Sequence, residues 1–383
     1  MTLEDRLIDC DMHLFEPGDM WTRHCDPSDR DVALSMETDD LGYVWLVHGS
    51  QRLSLAEPHQ PGKVRTIGEY RQRWKEGLPS TLDYESFAAA YSDPSAIVRH
   101  LDDVGFEAAV LFPNYGIGWE RPLESDRRAM LANMRAWNRW IIDITADGKG
   151  RLFPVGHVNL ADVGWLEVEL ARLSAGGVKL ALIPPALVNG RPLSDPALDR
   201  VWSAFVDSGV TPVFHVANQP RPFADAWYGE DLVGGVSPLT SIFLWTGVAL
   251  ALTDLIINGV LERHPELHLG VMELSAMWVP LHLQMLDGGF HFAATFNGEA
   301  APLSLLPSEY FKRQVRIAAF SYERPRRLMD RAGDIFMACS DYPHTEGTST
   351  PLDDYRSVGV EPGTDPGFFR ENVRLLLGES AIT

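Results

Sequence analysis

The hydrophobic pattern along this chain alternates between two periods. From about residue 94 onward, apolar stripes at helical spacing alternate with short continuous apolar runs that read as buried strands. Pro94 to Val104 predicts a helix closed by Gly105, followed by a strand over Ala108 to Phe112. A helical stretch near Arg127 to Ile144 precedes a strand at Leu152 to Val158. Val163 to Leu173 is amphipathic, ends at Gly176-Gly177, and leads into Val178 to Ile183. Asp195-Pro196 supplies an N-cap and a first-turn proline. Leu198, Val201, Trp202, Phe205 and Val206 then follow the i, i+3, i+4, i+7, i+8 stripe before Gly209 and the strand Thr211 to Val216. Thr253 to Leu261 with Leu267 to Glu273 repeats the arrangement, and Val315 to Phe320, Arg324 to Ala332 and Ile335 to Ala338 complete it.

With the N-terminal Leu7-Ile8 run, eight strand candidates result, separated largely by helices. Eight such units close most economically into an α/β fold of the (β/α)8 barrel type. An open doubly wound sheet would announce itself with a glycine-rich first turn, whereas the first strand here ends in acids and a histidine. The reading is one distorted TIM barrel over residues 1–383 with two insertions. The first, about 20–93, follows strand 1, is rich in Pro, Asp, Trp and Arg, and carries a hairpin at Tyr43 to Val47 and Arg52 to Leu55. The second, about 218–238, follows strand 5. Their aromatics Trp45, Tyr70, Trp74, Phe223, Trp227 and Tyr228 suit either a lid over a large apolar substrate or packing onto the barrel.

Barrel closure places the first and eighth strands side by side, so their C-terminal ends meet at the rim where barrel active sites are built. Asp11 and His13, two apart on one strand, point the same way and converge with Asp341. His215 ends the fifth strand and Glu273 the sixth, at the same height. Glu16 and His344, each three residues beyond one of these, can reach the same mouth from loops. Carboxylates and imidazoles converging in this way suit a divalent metal. Asp341 and His344 are the candidate catalytic groups. His157 ends the third strand as a secondary candidate, and Lys179 reads as a packing or helix-side residue.

Composition narrows the picture. A net charge of −20 (33 basic, 53 acidic residues) over 383 residues argues against nucleic acid or an anionic membrane as partner. Three cysteines without metal-type spacing, and an acidic N-terminus without a signal-peptide pattern, fit a cytoplasmic protein. No GxSxG, Walker or GxGxxG motif supports a serine hydrolase, an NTPase or a dinucleotide enzyme.

With these residues in place, the chain resembles the amidohydrolase-2 branch of the metal-dependent hydrolases, which contains aminocarboxymuconate semialdehyde decarboxylase and γ-resorcylate decarboxylase. The matching pieces are Ile8-Asp9-Cys10-Asp11-Met12-His13, Pro212-Val213-Phe214-His215, Arg263 to Glu273, and Ser340-Asp341-Tyr342-Pro343-His344. The resemblance implies a distorted TIM barrel with a metal at the positions of His13, His215 and Asp341. Two departures stand out: Asp11 replaces the first His of the usual H-x-H pair, and Glu273-Leu-Ser-Ala replaces a His-Gly-Gly motif.

The resulting set of four carboxylates and three imidazoles resembles the nonheme diiron monooxygenase of platensimycin and platencin biosynthesis. That likeness implies two Fe ions and O2-dependent hydroxylation of an apolar small-molecule substrate, with CoA linkage. Asp11, His13, His215 and Asp341 would hold one ion, Glu273 would bridge, and Glu16 and His344 would serve the second. The alternative is one Zn or Mn ion in a hydrolase or nonoxidative decarboxylase, with Asp341 as general base. A homodimer is the default expectation.

Overall fold

The computed structural model describes residues 7–40, 44–55, 89–216, 219–228, 238–297, 303–344 and 346–378. In chain order the strands are β1 (Ile8–Leu14), β2 (Ser35–Thr38), β3 (Val44–His48), β4 (Gln51–Leu55), β5 (Ala108–Pro113), β6 (Leu152–His157), β7 (Leu180–Leu182), β8 (Thr211–Phe214), β9 (Leu269–Val271), β10 (Val315–Ala318) and β11 (Phe336–Met337). Eight of them form one parallel sheet in the order β1-β5-β6-β7-β8-β9-β10-β11. Three backbone hydrogen bonds bring its ends together: Cys10 N donates to Ala338 O (2.9 Å), Asp341 N to Asp11 O (2.7 Å) and His13 N to Tyr342 O (2.8 Å). The chain is a (β/α)8 barrel, as the eight-unit pattern predicts.

Side-chain alternation divides the apolar residues into two layers. Cys10, Val110, Phe153, Val155, Leu180 and Met337 fill the barrel interior. Met12, Leu111, Leu166, Trp202 and Leu252 lie between strands and helices. Local signals set several helix boundaries. Asp93 accepts a hydrogen bond from Ser95 N, Pro94 occupies the first turn, and Gly105 ends the helix Pro94–Val104 at φ +83°. Asp126 and Asp162 cap Arg127–Asp147 and Val163–Ala175 in the same way.

One boundary differs from expectation. The helix expected to start at Thr253 spans Trp245–Ile257. Its first half belongs to the largely apolar run Ile242 to Leu252, broken only at Thr246-Gly247, which offers no polar face from which a helical period could be read.

The expected hairpin is present with a third strand: β2 pairs antiparallel with β3, and β3 with β4. Trp45 belongs to this small sheet, its indole N–H donating to Asp39 Oδ2 (2.8 Å) and its ring lying under Arg52. Both contacts lie within this sheet. Tyr43, Tyr70 and Trp74 lie outside the described residues, with 41–43 and 56–88 of the first insertion and 218 and 229–237 of the second. Tyr228 is buried, whereas Phe223 and Trp227 are exposed. Among the described residues, no helix is long and apolar enough to cross a membrane.

Candidate metal centre

The site begins with an irregularity in β1. Ile8 and Asp9 pair with Ala108 and Ala109, but the next partners are Met12 and Leu111, so β1 carries one extra residue. Ile8 and Cys10 therefore face the barrel interior, while beyond the bulge Met12 and Leu14 face the outer layer. That change of phase turns Asp11 and His13 into the mouth. Asp9 stabilises the bulge, since its Oδ1 accepts from both Asp11 N (3.1 Å) and Ser340 N (3.0 Å). Burial raises the Asp9 carboxyl to about 7.

Six of the seven sequence-derived candidates meet at this mouth. His13 Nε2 lies 3.3 Å from Asp341 Oδ1 and 3.8 Å from both Asp11 Oδ1 and Glu273 Oε2. His215 Nε2 lies 3.1 Å from Glu273 Oε2 and 3.4 Å from Asp11 Oδ1. His344 Nδ1 lies 2.8 Å from Asp341 Oδ1. Two overlapping ligand groups result, His13-Glu273-Asp341-His344 and Asp11-His13-His215. Glu273 and Asp341 both adopt left-handed backbone at φ 50° and 53°, a costly conformation for non-glycine residues that concentrates at functional sites. The interior members Asp11, His215 and Asp341 are sealed from solvent, while the Glu273 and His344 side chains retain 15% and 25% exposure. Solvent therefore reaches the cluster past Glu273 and His344.

Glu16 is the exception, and its expected place on a second ion is corrected by its partners. Its two carboxylate oxygens accept the backbone N–H groups of Tyr115 (2.8 Å) and Gly116 (2.7 Å). Gly116 permits this approach, because a Cβ there would stand 2.7 Å from Glu16 Oε1. Glu16 thus ties the loop after β1 to the loop after β5, and belongs to neither ligand group.

The electrostatics describe a site built around positive charge. Burial raises Asp11 to about 8 and Glu273 well above the carboxylate range, and lowers His215 to about 3. For Asp341, burial pushes upward, but the charge of His344 beside it outweighs that and holds the carboxyl below its usual range. His344 is the counterpart: burial lowers its pKa, yet Asp341, Glu346 and Asp11 together raise it to about 9.

The donor chemistry fits a divalent cation. Asp11 Oδ1 and Oδ2, His13 Nε2, His215 Nδ1 and Nε2, Glu273 Oε2, Asp341 Oδ1 and Oδ2, and His344 Nδ1 are all buried without a hydrogen-bond partner. These are nine of the seventeen unpartnered buried side-chain atoms among the described residues, and their convergence on one point suits a positive centre. The nearest supports fix ligand orientation. His13 Nδ1 donates to Pro113 O (3.1 Å), which leaves the Nε2 lone pair facing the carboxylates. His344 Nε2 meets Asn114 Oδ1 (3.0 Å), and Phe112 stacks on His215 at 4.3 Å between centroids. Pro113 and Asn114 escape a reading of the sequence, their only signal being their position at the end of β5.

The other candidates take structural places. His157 Nδ1 lies 2.7 Å from Glu120 Oε1, with the ring stacked on Trp119. Lys179 is exposed. A cavity of about 360 Å³ opens over the ends of β6 and β7, lined by Glu120, Arg121, Asn159, Leu160, Leu187 and Asn189 among others. None of the seven candidates lines it, so the chemistry is assigned from the ligand geometry and not from the cavity.

Fold and site together define a barrel with a carboxylate–imidazole metal centre at its C-terminal mouth. Comparison with solved structures points the same way. An amidohydrolase from Mycobacterium avium subsp. paratuberculosis is 27% identical, with 97% of this chain and 99% of that chain covered at a TM-score of 0.81. A 5-carboxyvanillate decarboxylase from Novosphingobium aromaticivorans, with bound manganese and 3-methoxy-4-hydroxy-5-nitrobenzoic acid, is 16% identical over 98% of both chains (TM-score 0.67). A 2,6-dihydroxybenzoate decarboxylase from Rhizobium is 15% identical over 98% and 99% (TM-score 0.63). At those lower identities the likeness is one of fold. No family model matches the chain, and no curated protein does. These neighbours are hydrolase- and decarboxylase-type enzymes, and they lend no support to the diiron monooxygenase likeness.

Proposed function

We propose that this chain is an enzyme using one divalent cation, Mn or Zn, for hydrolysis or nonoxidative decarboxylation of a small organic acid. The observation that carries the proposal is the set of unpartnered buried oxygen and nitrogen atoms around His13 Nε2. Both ligand groups share His13, and with Nδ1–H committed to Pro113 that ring has a single lone pair to offer. One ion can take it; two cannot. Charge agrees, because Asp11, Glu273 and Asp341 are balanced by one divalent cation plus a protonated His344. The removal of Glu16 from the ligand set takes away the carboxylate a second ion would need. Bound manganese in the carboxyvanillate decarboxylase supports the choice of metal, and nothing among these neighbours supports two irons.

When bound, the cation supplies a Lewis acid that polarises a substrate oxygen. Asp341, held ionised beside His344, accepts the proton of an attacking water in hydrolysis. In decarboxylation the proton that takes the place of CO2 on the carbon comes from His344, passed through Asp341 2.8 Å away, and solvent returns a proton to His344. His344, oriented by Asn114, holds the proton at Nδ1 that keeps Asp341 charged. Substrate approaches past Glu273 and His344, the members that touch solvent.

Elemental analysis of protein purified without chelator or added metal tests the proposal. The expected result is about one Mn or Zn per chain, with activity on a panel of aromatic acids lost on chelation and restored by that metal. About two irons per chain would overturn it and return the oxygenase to first place.

A further inference from the structure

Glu323 is a buried carboxylate outside both ligand groups. It ends the short turn Ser321–Glu323 that follows β10, and is 5% exposed. Its carboxylate reaches sideways to the loop that follows β9. Oε1 accepts from Ser275 Oγ (2.6 Å) and from Ala276 N (2.8 Å), while Oε2 accepts from Phe320 N (2.9 Å) in its own loop. The loop so held is the one that carries Glu273. Leu269 and Val271 face the outer layer and Met272 the barrel interior, so a regular continuation of β9 would send Glu273 outward. Left-handed backbone at Glu273 (φ 50°) and again at Ser275 (φ 62°) breaks that alternation, and the carboxylate turns into the mouth. Non-glycine residues keep such a conformation only where their surroundings over-determine it. Here the restraint comes from two sides. Glu323 takes the donors of Ser275 and Ala276, and Trp278 Nε1 donates to the carbonyls of Leu274 (3.2 Å) and Ser275 (2.8 Å).

We propose that Glu323 is a positioning residue for the metal centre, locking the turn from Glu273 to Ala276 and through it the place of the Glu273 carboxylate. That place is 3.1 Å from His215 Nε2 and 3.8 Å from His13 Nε2 for Glu273 Oε2. The inference rests on the reading of Glu273 as a ligand of one divalent cation. An acid suits the task, because a carboxylate offers only acceptors and the three groups that meet it are all donors. Burial raises the Glu323 carboxyl above its usual range, and the donors pull against that shift. A buried acid is a costly way to hold a loop unless the loop must be held in one geometry. Trp278 by itself restrains only carbonyls. Without Glu323 the Ser275 and Ala276 donors are released, and the strained turn relaxes toward extended backbone, which withdraws Glu273 from His215.

Mn2+ titrated into the stripped full-length chain tests this, together with amide hydrogen exchange over residues 272–277. Glu323→Gln keeps the volume but sets an amide N–H against one of the three donors. It is expected to weaken Mn2+ binding about 10–100-fold and to speed exchange of the Ala276 amide. A positioning residue works only through the group it positions. In a Glu273→Ala background, which retains Asp11, His13, His215 and Asp341, Glu323→Gln is therefore expected to cost no further affinity. A residue that only stabilises the fold would cost the same in both backgrounds. Ser275→Gly is the second variant, since glycine accepts φ 62° and the fold is kept. It removes one of the two bonds between the loops and is expected to weaken Mn2+ binding in the same direction. Affinity unchanged in both single variants, or an equal loss with and without Glu273, overturns the proposal. A chain that takes up no divalent metal fails the one-ion reading instead. Exchange at Ala276 then decides, and protection undiminished in Glu323→Gln overturns the positioning as well.

Discussion

Asp341 sits between two imidazoles, 3.3 Å from His13 Nε2 and 2.8 Å from His344 Nδ1. Replacing it by Asn keeps the shape and removes the base. Asp341→Asn is expected to lower kcat by about 10²–10⁴-fold in whichever of the two reactions operates, read by steady-state kinetics on the metal-loaded protein. Glu16→Gln tests the opposite role. An amide nitrogen would face the N–H of Tyr115 or Gly116, which costs about 1–3 kcal/mol in a denaturant melt, while metal per chain stays constant. A drop in metal content in that variant would restore Glu16 as a ligand. At this scale the D-x-H spacing of Asp11 and His13, and the strand-end positions of His215, Glu273 and Asp341, were readable, because side-chain direction alternates along a strand. Glu16 was misread because the direction of a loop residue depends on the amides it meets, here a hundred residues away.

The bulge in β1 is the element on which the site turns. Without the extra residue between Asp9 and Met12, Cys10 and Asp11 could not both face inward, and the strand would serve either the packed interior or the mouth. Asp9 holds it through two backbone N–H groups. Asp9→Ala leaves both buried donors unpaired, at about 1–3 kcal/mol each. It is expected to lower the melting temperature and to weaken metal affinity, followed by titrating Mn2+ into stripped protein; unchanged affinity would mean that the site does not need the bulge. A β-bulge leaves little trace in a heptapeptide such as Ile-Asp-Cys-Asp-Met-His-Leu, and Asp9 reads there as one more acid. Helices with polar faces and caps were legible to within a few residues. The apolar start of Trp245–Ile257 was not, because a helix apolar on all sides has no period.

At the scale of the whole molecule, three carboxylates buried at one mouth are a cost that a cation offsets. Metal is therefore expected to stabilise the fold as well as support catalysis. Free Mn2+ at a hundred times its Kd adds about 2.7 kcal/mol, seen as a rise in melting temperature over chelated protein and absent when His13 is replaced by Ala. The sequence by itself determined the barrel, since eight alternations of strand and helix have few ways to bury their apolar faces. It also determined the chemical type of the site, since acids and histidines recur at strand ends and barrel closure must gather them. Tertiary structure decided the rest: which carboxylate is spent on backbone amides, and which ring nitrogen remains free. Those choices rest on contacts between residues such as Glu16 and Gly116, or His13 and Pro113, that lie a hundred positions apart and that no local pattern encodes.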